Sequence, residues 1–254
     1  MNKKIITLFM AAAIVLMPMM ATASGGAHLY KAPIDINDKE SLRRGATAFA
    51  DYCYSCHAAS FMRFNRIAKD LEMSEEEVRE IMIHTRGKKG EPAKIGDLMK
   101  VSMTADYAKN AFGTAVPDLS LAARARGADW IYTYLRSFYM DDYRPTGFNN
   151  TVFPDVGMPH VLWSLQGLQK PVYKTSMHGD VEVEELDGFE TIQAGKLSRV
   201  EYDMFIGDLT NFMVYLAEPV QLERRALGWK VLLFLVIFFG FAYALKKEYW
   251  KDVH

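Results

Sequence analysis

Cys53-Tyr54-Ser55-Cys56-His57 is the stretch that decides the reading of this chain. Two cysteines three positions apart, with a histidine directly after the second, have the spacing of a c-type haem attachment site. In that chemistry both thiols add across the haem vinyl groups, and the adjacent imidazole supplies an axial ligand to iron. Geometry explains the spacing: at a helix end the two sulfurs reach the two vinyls while the histidine swings beneath the ring. A thioredoxin-like C-x-x-C dithiol is the rival reading, and it needs a strand before the motif and a helix starting at it. Here a helical pattern comes first. Leu42, Ala46, Phe49 and Cys53 recur at threes and fours, which predicts a helix opening near Asp38 and ending at the first cysteine. Gly45 on that helix leaves room for a close crossing by another.

Cys53 and Cys56 are the only cysteines among 254 residues. That count excludes a multi-disulfide scaffold, a four-cysteine zinc site and a cysteine-ligated iron–sulfur cluster. With 50% hydrophobic and 24% charged residues, the chain carries enough apolar material for a core, and wholesale disorder is excluded. Thirty Lys and Arg against 31 Asp and Glu argue against nucleic acid as a partner.

Both ends bear on location. Residues 1–23 read as a secretory signal: Lys3 and Lys4, an apolar run from Ile5 to Met20, then Ala21-Thr22-Ala23 as a small-x-small cleavage site. Toward the other end, 226–245 is apolar apart from Lys230, whose long side chain reaches the headgroups from one turn inside. It is expected to be a transmembrane helix. Trp229 at one edge and Tyr249 with Trp250 at the other suit an interfacial aromatic belt, and Lys246, Lys247 and Lys251 suit a cytoplasmic tail over 246–254. Residues 24–222 are then an exported haem domain, which in a bacterium lies in the periplasm and is tied to the inner membrane by its anchor.

The exported part reads as mainly α with long irregular loops. A capping box at Ser74 and Glu77 opens one helix, Asp129 to Met140 reads as another, and a second capping box at Ser198 and Glu201 opens the strongest. In that last helix Tyr202, Phe205, Ile206, Leu209, Phe212, Met213 and Leu216 recur by threes and fours. Residues 141–197 carry many turn signals, with a small hairpin suggested where Val181 and Val183 alternate with acids. A segment so long and irregular is expected to wrap a cofactor. The acids Asp180, Glu182, Glu184, Glu185, Asp187 and Glu190 are candidates to steer a basic partner, and equally read as a solvated hairpin face.

An electron-transfer haem needs a sixth ligand, for which a methionine thioether is the usual donor. Met158 stands out because Phe153-Pro154-Asp155-Val156-Gly157-Met158-Pro159-His160 is stiffened by prolines on both sides. Met140, Met177 and His160 are the other candidates.

Taken together, these motifs resemble the cytochrome c1 family, the haem-bearing subunit of the bacterial cytochrome bc1 complex (ubiquinol:cytochrome c oxidoreductase). The resemblance is carried by R-R-G-A-T-A-F-A-D-Y-C-Y-S-C-H at 43–57, V-P-D-L-S at 116–120, F-P-D-V-G-M-P at 153–159, and E-Y-D at 201–203 leading to a single C-terminal anchor. It implies one haem c bound covalently through Cys53 and Cys56, with His57 and Met158 as axial ligands. It also implies that Pro117 packs on the proximal side and that Arg126 pairs with a haem propionate. The family often has a double proline where this chain has Val116-Pro117. By the same resemblance, cytochrome b and the Rieske iron–sulfur protein are partners, a cytochrome c accepts the electron, and the subunit performs no catalysis of its own. The alternatives are a stand-alone anchored electron carrier and a haem subunit of another respiratory enzyme.

Overall fold

The computed structural model describes residues 28–86, 90–178 and 181–252. The expected signal segment at 1–23 and the acid Asp180 lie outside the described residues.

Two helices far apart in sequence form the centre. The first, α1 (Lys39–Tyr52), starts where Asp38 accepts from the Ser41 amide as N-cap, and buries Leu42, Ala46 and Phe49 along one face. The sequence spacing therefore marks both its start and its inward side. It packs on α8 (Arg199–Ala217), opened by the Ser198–Glu201 capping box and buried through Tyr202, Ile206, Leu209, Phe212 and Leu216. Gly45 is the contact point: a Cβ there would run into the Asp208 carbonyl oxygen and lie 2.7 Å from the Phe212 Cβ. Arg44 closes the crossing with a two-pronged grip on Asp208, 2.6 and 3.0 Å. The rings of Phe49, Phe212, Tyr54 and Phe64 fill the space beneath, with less than 2% of each exposed.

Around this pair lie β1 (Ala59–Arg63), α2 (Phe64–Asp70), α3 (Glu75–Met82), β2 (Leu98–Met99), α4 (Ala105–Phe112), α5 (Ala122–Arg126) and α6 (Ala128–Arg136). The Ser74–Glu77 capping box opens α3 as the sequence predicts. Among the described residues, strands occur as three two-stranded antiparallel ribbons.

Two expectations need correction. The helix expected over Asp129 to Met140 stops at Arg136, and Phe138–Met140 form β3, paired with β4 (Phe148–Asn150). Side chains distant in sequence take the carbonyls that would have continued the helix. Asn150 donates to Tyr134 O, while Gln166 and Gln169 both donate to Arg136 O. The second correction concerns 141–197, which is largely regular. After the single turn α7 (Trp163–Gln166), β5 (Gly167–His178) and β6 (Val181–Ala194) build one long hairpin. Opposite charges face each other across it at Lys170 and Glu190 and at Lys174 and Glu185. The hairpin meets the domain at β3 and α7, so the part of 141–197 that lines a cofactor-sized cleft is the loop carrying Phe153, Val156 and Met158 and not the hairpin.

Finally α9 (Gln221–Tyr249) runs for 29 residues, about 43 Å, with no buried residue. It is long and apolar enough to cross a membrane, as expected of the C-terminal segment.

Candidate haem site

Cys53 is the C-cap of α1, and its carbonyl accepts from the amides of both Cys56 and His57, at 3.1 and 2.9 Å. This extra turn folds His57 back beneath the helix end. Cys53 and His57 then line a cleft of about 510 Å³ together with Pro117, Arg126, Tyr134 and Met158. That size suits a cofactor, and most of the wall is apolar. Five of the six residues proposed from sequence thus converge. Cys56 lines the adjoining cleft, of about 300 Å³, with Lys100 and Val116.

The His57 ring is fixed by Pro117. Its Nδ1 lies 2.8 Å from the Pro117 carbonyl oxygen, and because a carbonyl can only accept, Nδ1 carries the proton. The lone pair is left on Nε2, the atom that a metal would need. Burial keeps the imidazole pKa below its ordinary value, which also favours the neutral ring. Burial first, and the neighbouring Cys56 second, push the Cys53 thiol up to about 12, so at neutral pH it remains protonated.

The V-P-D-L-S segment holds this wall in place. Asp118 accepts from the Ser60 and Ser120 amides, at 3.0 and 2.8 Å, and Ser120 Oγ accepts from Phe61 N. Leu119 N donates to Ala58 O, 2.8 Å. The segment carrying Pro117 is in this way stitched to the strand that leaves His57. Reading the sequence singled out Pro117 alone; the Asp-x-Ser spacing, a common local turn signature, was the signal for the rest.

Met158 comes from the 150–158 loop, and its Sδ accepts a hydrogen bond from Tyr134 Oη at 3.4 Å. Two buried asparagines shape that loop. Asn150 Oδ1 accepts from Val152 N and Phe153 N, and Asn149 Oδ1 accepts from Asp155 N. Arg144 grips both the carboxylate and the carbonyl of Asp155, each at 2.8 Å, where the backbone is left-handed with φ 61°. None of these three was legible as a site residue. Arg126 stacks over Trp130 and Phe153, 5.1 and 5.9 Å from the ring centroids, at the cleft wall.

The other ligand candidates fall elsewhere. Met177 is 64% exposed on the hairpin, and Met140 is half-buried in β3. His160 is buried against Phe138, ring on ring at 4.8 Å, and does not line the cleft.

Among the described residues no group of three or more His, Cys, Asp or Glu gathers as a bare metal would require. An imidazole with its Nε2 lone pair free, a thioether and a nearby thiol pair around an apolar cleft fit iron that arrives already held by a tetrapyrrole. A mainly helical domain with long loops folded around such a cleft is that of a c-type cytochrome.

Comparison with known proteins narrows this class. The model of the Cytochrome C1 family matches residues 29–253. The chain is 49% identical to cytochrome c1 of Allochromatium vinosum, over 97% of this chain and 99% of that one. It is equally 49% identical to a Nitrosomonas europaea protein named ammonia monooxygenase gamma subunit, over 97% and 98%. Cytochrome b/c1 of Bradyrhizobium diazoefficiens matches at 28%, over 89% of this chain and 35% of that longer protein. The chain belongs to the cytochrome c1 family, whose members are haem-bearing electron-transfer subunits of the bc1 complex and not independent catalysts.

Proposed function

We propose that this chain carries one haem c, attached through Cys53 and Cys56, and relays single electrons from the Rieske iron–sulfur protein to a cytochrome c. The observation that carries the reading is the Nδ1–H donated by His57 to the Pro117 carbonyl. It leaves Nε2 as a ligand atom in the cleft that Met158 also lines. The haem supplies a metal centre that changes charge by one. The chain's own residues keep that change inexpensive: His57 is held by Pro117, Met158 by Tyr134 and the asparagine-framed loop, and apolar walls limit water. Rigid ligands reorganise little when an electron arrives or leaves. Arg126 offers a cation at the cleft wall for a propionate.

Residues 1–23 are read as a cleaved signal, 24–222 as the periplasmic haem domain, 226–245 as the anchor in the bacterial inner membrane and 246–254 as a cytoplasmic tail. Cytochrome b would flank the anchor; the name and greater length of the Bradyrhizobium relative support that association.

Reduced-minus-oxidised spectra and alkaline pyridine haemochrome analysis of the purified membrane form, on wild type and Met158→Leu, test the reading. A c-type spectrum indifferent to carbon monoxide in wild type, with the variant binding the gas at a lowered potential, is expected. Carbon monoxide binding by wild type would overturn Met158 ligation, and absence of covalent haem would overturn the whole assignment.

A further inference from the structure

The ribbon formed by β1 and β2 begins two residues after His57 and carries an unusual set of side chains. Arg63, Arg86, Lys94 and Lys100 line one concave surface of about 930 Å³, against two carboxylates, Glu91 and Asp97. All four cations are exposed. Arg63 and Arg86 donate only to backbone carbonyls, of Gly96 and Gly90, and none of the four forms an ion pair among the described residues. Elsewhere the chain pairs its cations freely, as at Arg44 with Asp208 and Arg136 with Asp203. Phe61 is 73% exposed and lies two positions before Arg63 in β1, where the ladder is interrupted by a bulge between Ala59 and Arg63. An exposed aromatic ring beside unpaired arginines is a composition enriched at protein interfaces.

Position gives this surface its meaning. Lys100 and Val101 line both the basic concavity and the cleft that holds Cys56. Tyr54, inside the attachment motif, donates to the Lys100 carbonyl at 3.0 Å. Five residues of β1 span at most about 14 Å, which bounds the separation of Arg63 from Ala59, the third residue after Cys56. The acids of the hairpin are spread along it, from Glu190 opposite Lys170, three residues from the root at Gly167, to Glu182 opposite Met177, ten residues or about 34 Å from it.

We propose that this basic concavity is the docking surface for the electron acceptor, and that the acceptor is a small redox protein with an acidic face. The inference rests on the haem assignment above. Phe61, exposed on the same strand, supplies an apolar contact beside the concavity, and Arg63, Arg86, Lys94 and Lys100 supply attraction and orientation. One electron leaves the reduced haem and lowers the oxidised metal centre of the acceptor by one; no bond or proton changes hands.

Native cytochrome c, which is basic, and the same protein with its lysines succinylated, which is acidic, form a matched pair of probes. With the full-length haem-loaded protein in detergent, calorimetric binding and stopped-flow oxidation are measured across a range of salt. Wild type is expected to bind the succinylated form with an affinity that falls as salt rises, and Arg63→Glu with Lys100→Glu to slow its reduction by about tenfold at low salt. The same pair should leave native cytochrome c unslowed. Glu91→Gln with Asp97→Asn should accelerate reduction of the succinylated form, a gain that misfolding cannot imitate. Equal slowing of both probes, or of neither, would overturn the proposal. Capture of anionic phosphatidylglycerol vesicles by these residues, with unchanged electron transfer, would also overturn it in favour of a membrane contact. Loss of the haemochrome spectrum would instead indict the haem assignment.

Discussion

Tyr134 Oη donates to Met158 Sδ, so one phenol links the helix wall of the cleft to the sulfur proposed as the outer iron ligand. Burial raises the pKa of that phenol well above its ordinary value, so it stays a donor through all working pH. With Met158 as ligand, the bond would draw lone-pair density from sulfur and disfavour the ferric state. Tyr134→Phe is expected to lower the reduction potential by up to about 40 mV, the equivalent of one net hydrogen bond of about 1 kcal/mol. Potentiometric titration followed at the haem absorbance checks the sign; an unchanged or raised potential would remove the phenol from any tuning role.

Asn150 is fully buried and makes three hydrogen bonds, two as acceptor from the loop amides and one as donor to Tyr134 O. Asn150→Ala orphans all three partners and is expected to cost about 2–4 kcal/mol. More telling is the expected gain of carbon monoxide binding to the reduced protein, because a loosened loop releases Met158. Retained indifference to the gas would show that other contacts suffice to hold the loop.

The crossing of α1 and α8 leaves no space at Gly45. Gly45→Ala forces backbone apart at two helices and is expected to destabilise by about 3 kcal/mol, lowering the melting temperature by roughly 6–12 °C. Calorimetry on the haem-loaded protein measures it, and a shift under about 2 °C would mean that the helices yield without penalty.

Arg136 forms a fork on Asp203 at 2.6 and 2.8 Å and lies between the rings of Tyr30 and Tyr132, at 4.6 and 4.8 Å. Arg136→Lys keeps the charge but loses the planar fork and the stacking. It is expected to destabilise by about 1–2 kcal/mol, seen as a lower urea midpoint with unchanged slope.

The carboxyl of Glu201 is held below its ordinary value of 4.5 by hydrogen bonds from the Ser198 side chain and backbone. With the folded pKa depressed, the cap contributes fully above about pH 4.5 and is lost as pH falls through the folded value. Glu201→Gln, which still fits the capping pattern, is expected to flatten the acid side of the stability curve. Chemical unfolding between pH 3 and 6 compares the two; parallel curves would remove Glu201 from the acid response.

What the sequence revealed depended on how local the cause was. Asp38, the two capping boxes and the 3.6-residue spacing of α1 and α8 act within a turn or two, and each appears where the spacing places it. The C-Y-S-C-H motif is equally local, which is why Cys53 and His57 were readable. The end of α6 was not, because the side chains that take its last carbonyls come from Asn150, Gln166 and Gln169. The frame of the Met158 loop is nearer in sequence, Asn149 and Asn150 bonding amides two to six residues on and Arg144 reaching Asp155 from eleven residues back, but asparagine and arginine carry no spacing signature that marks them for this role. E-Y-D at 201–203 lies between the two: Glu201 caps locally, while Tyr202 reaches Leu135 O and Asp203 reaches Arg136. The hairpin was legible only at Val181 and Val183, which alternate with acids; its full length was not, because the rest of β5 and β6 lacks the apolar alternation that marks a buried strand.

Only residues 218–220 separate α8 from α9, and Glu218 pairs with Arg224 across that joint. Three residues extend at most about 10 Å, so the head has almost no tether on which to wander. Shuttling over any larger gap therefore falls to whatever delivers and collects the electron, while this subunit acts as the fixed platform of the relay.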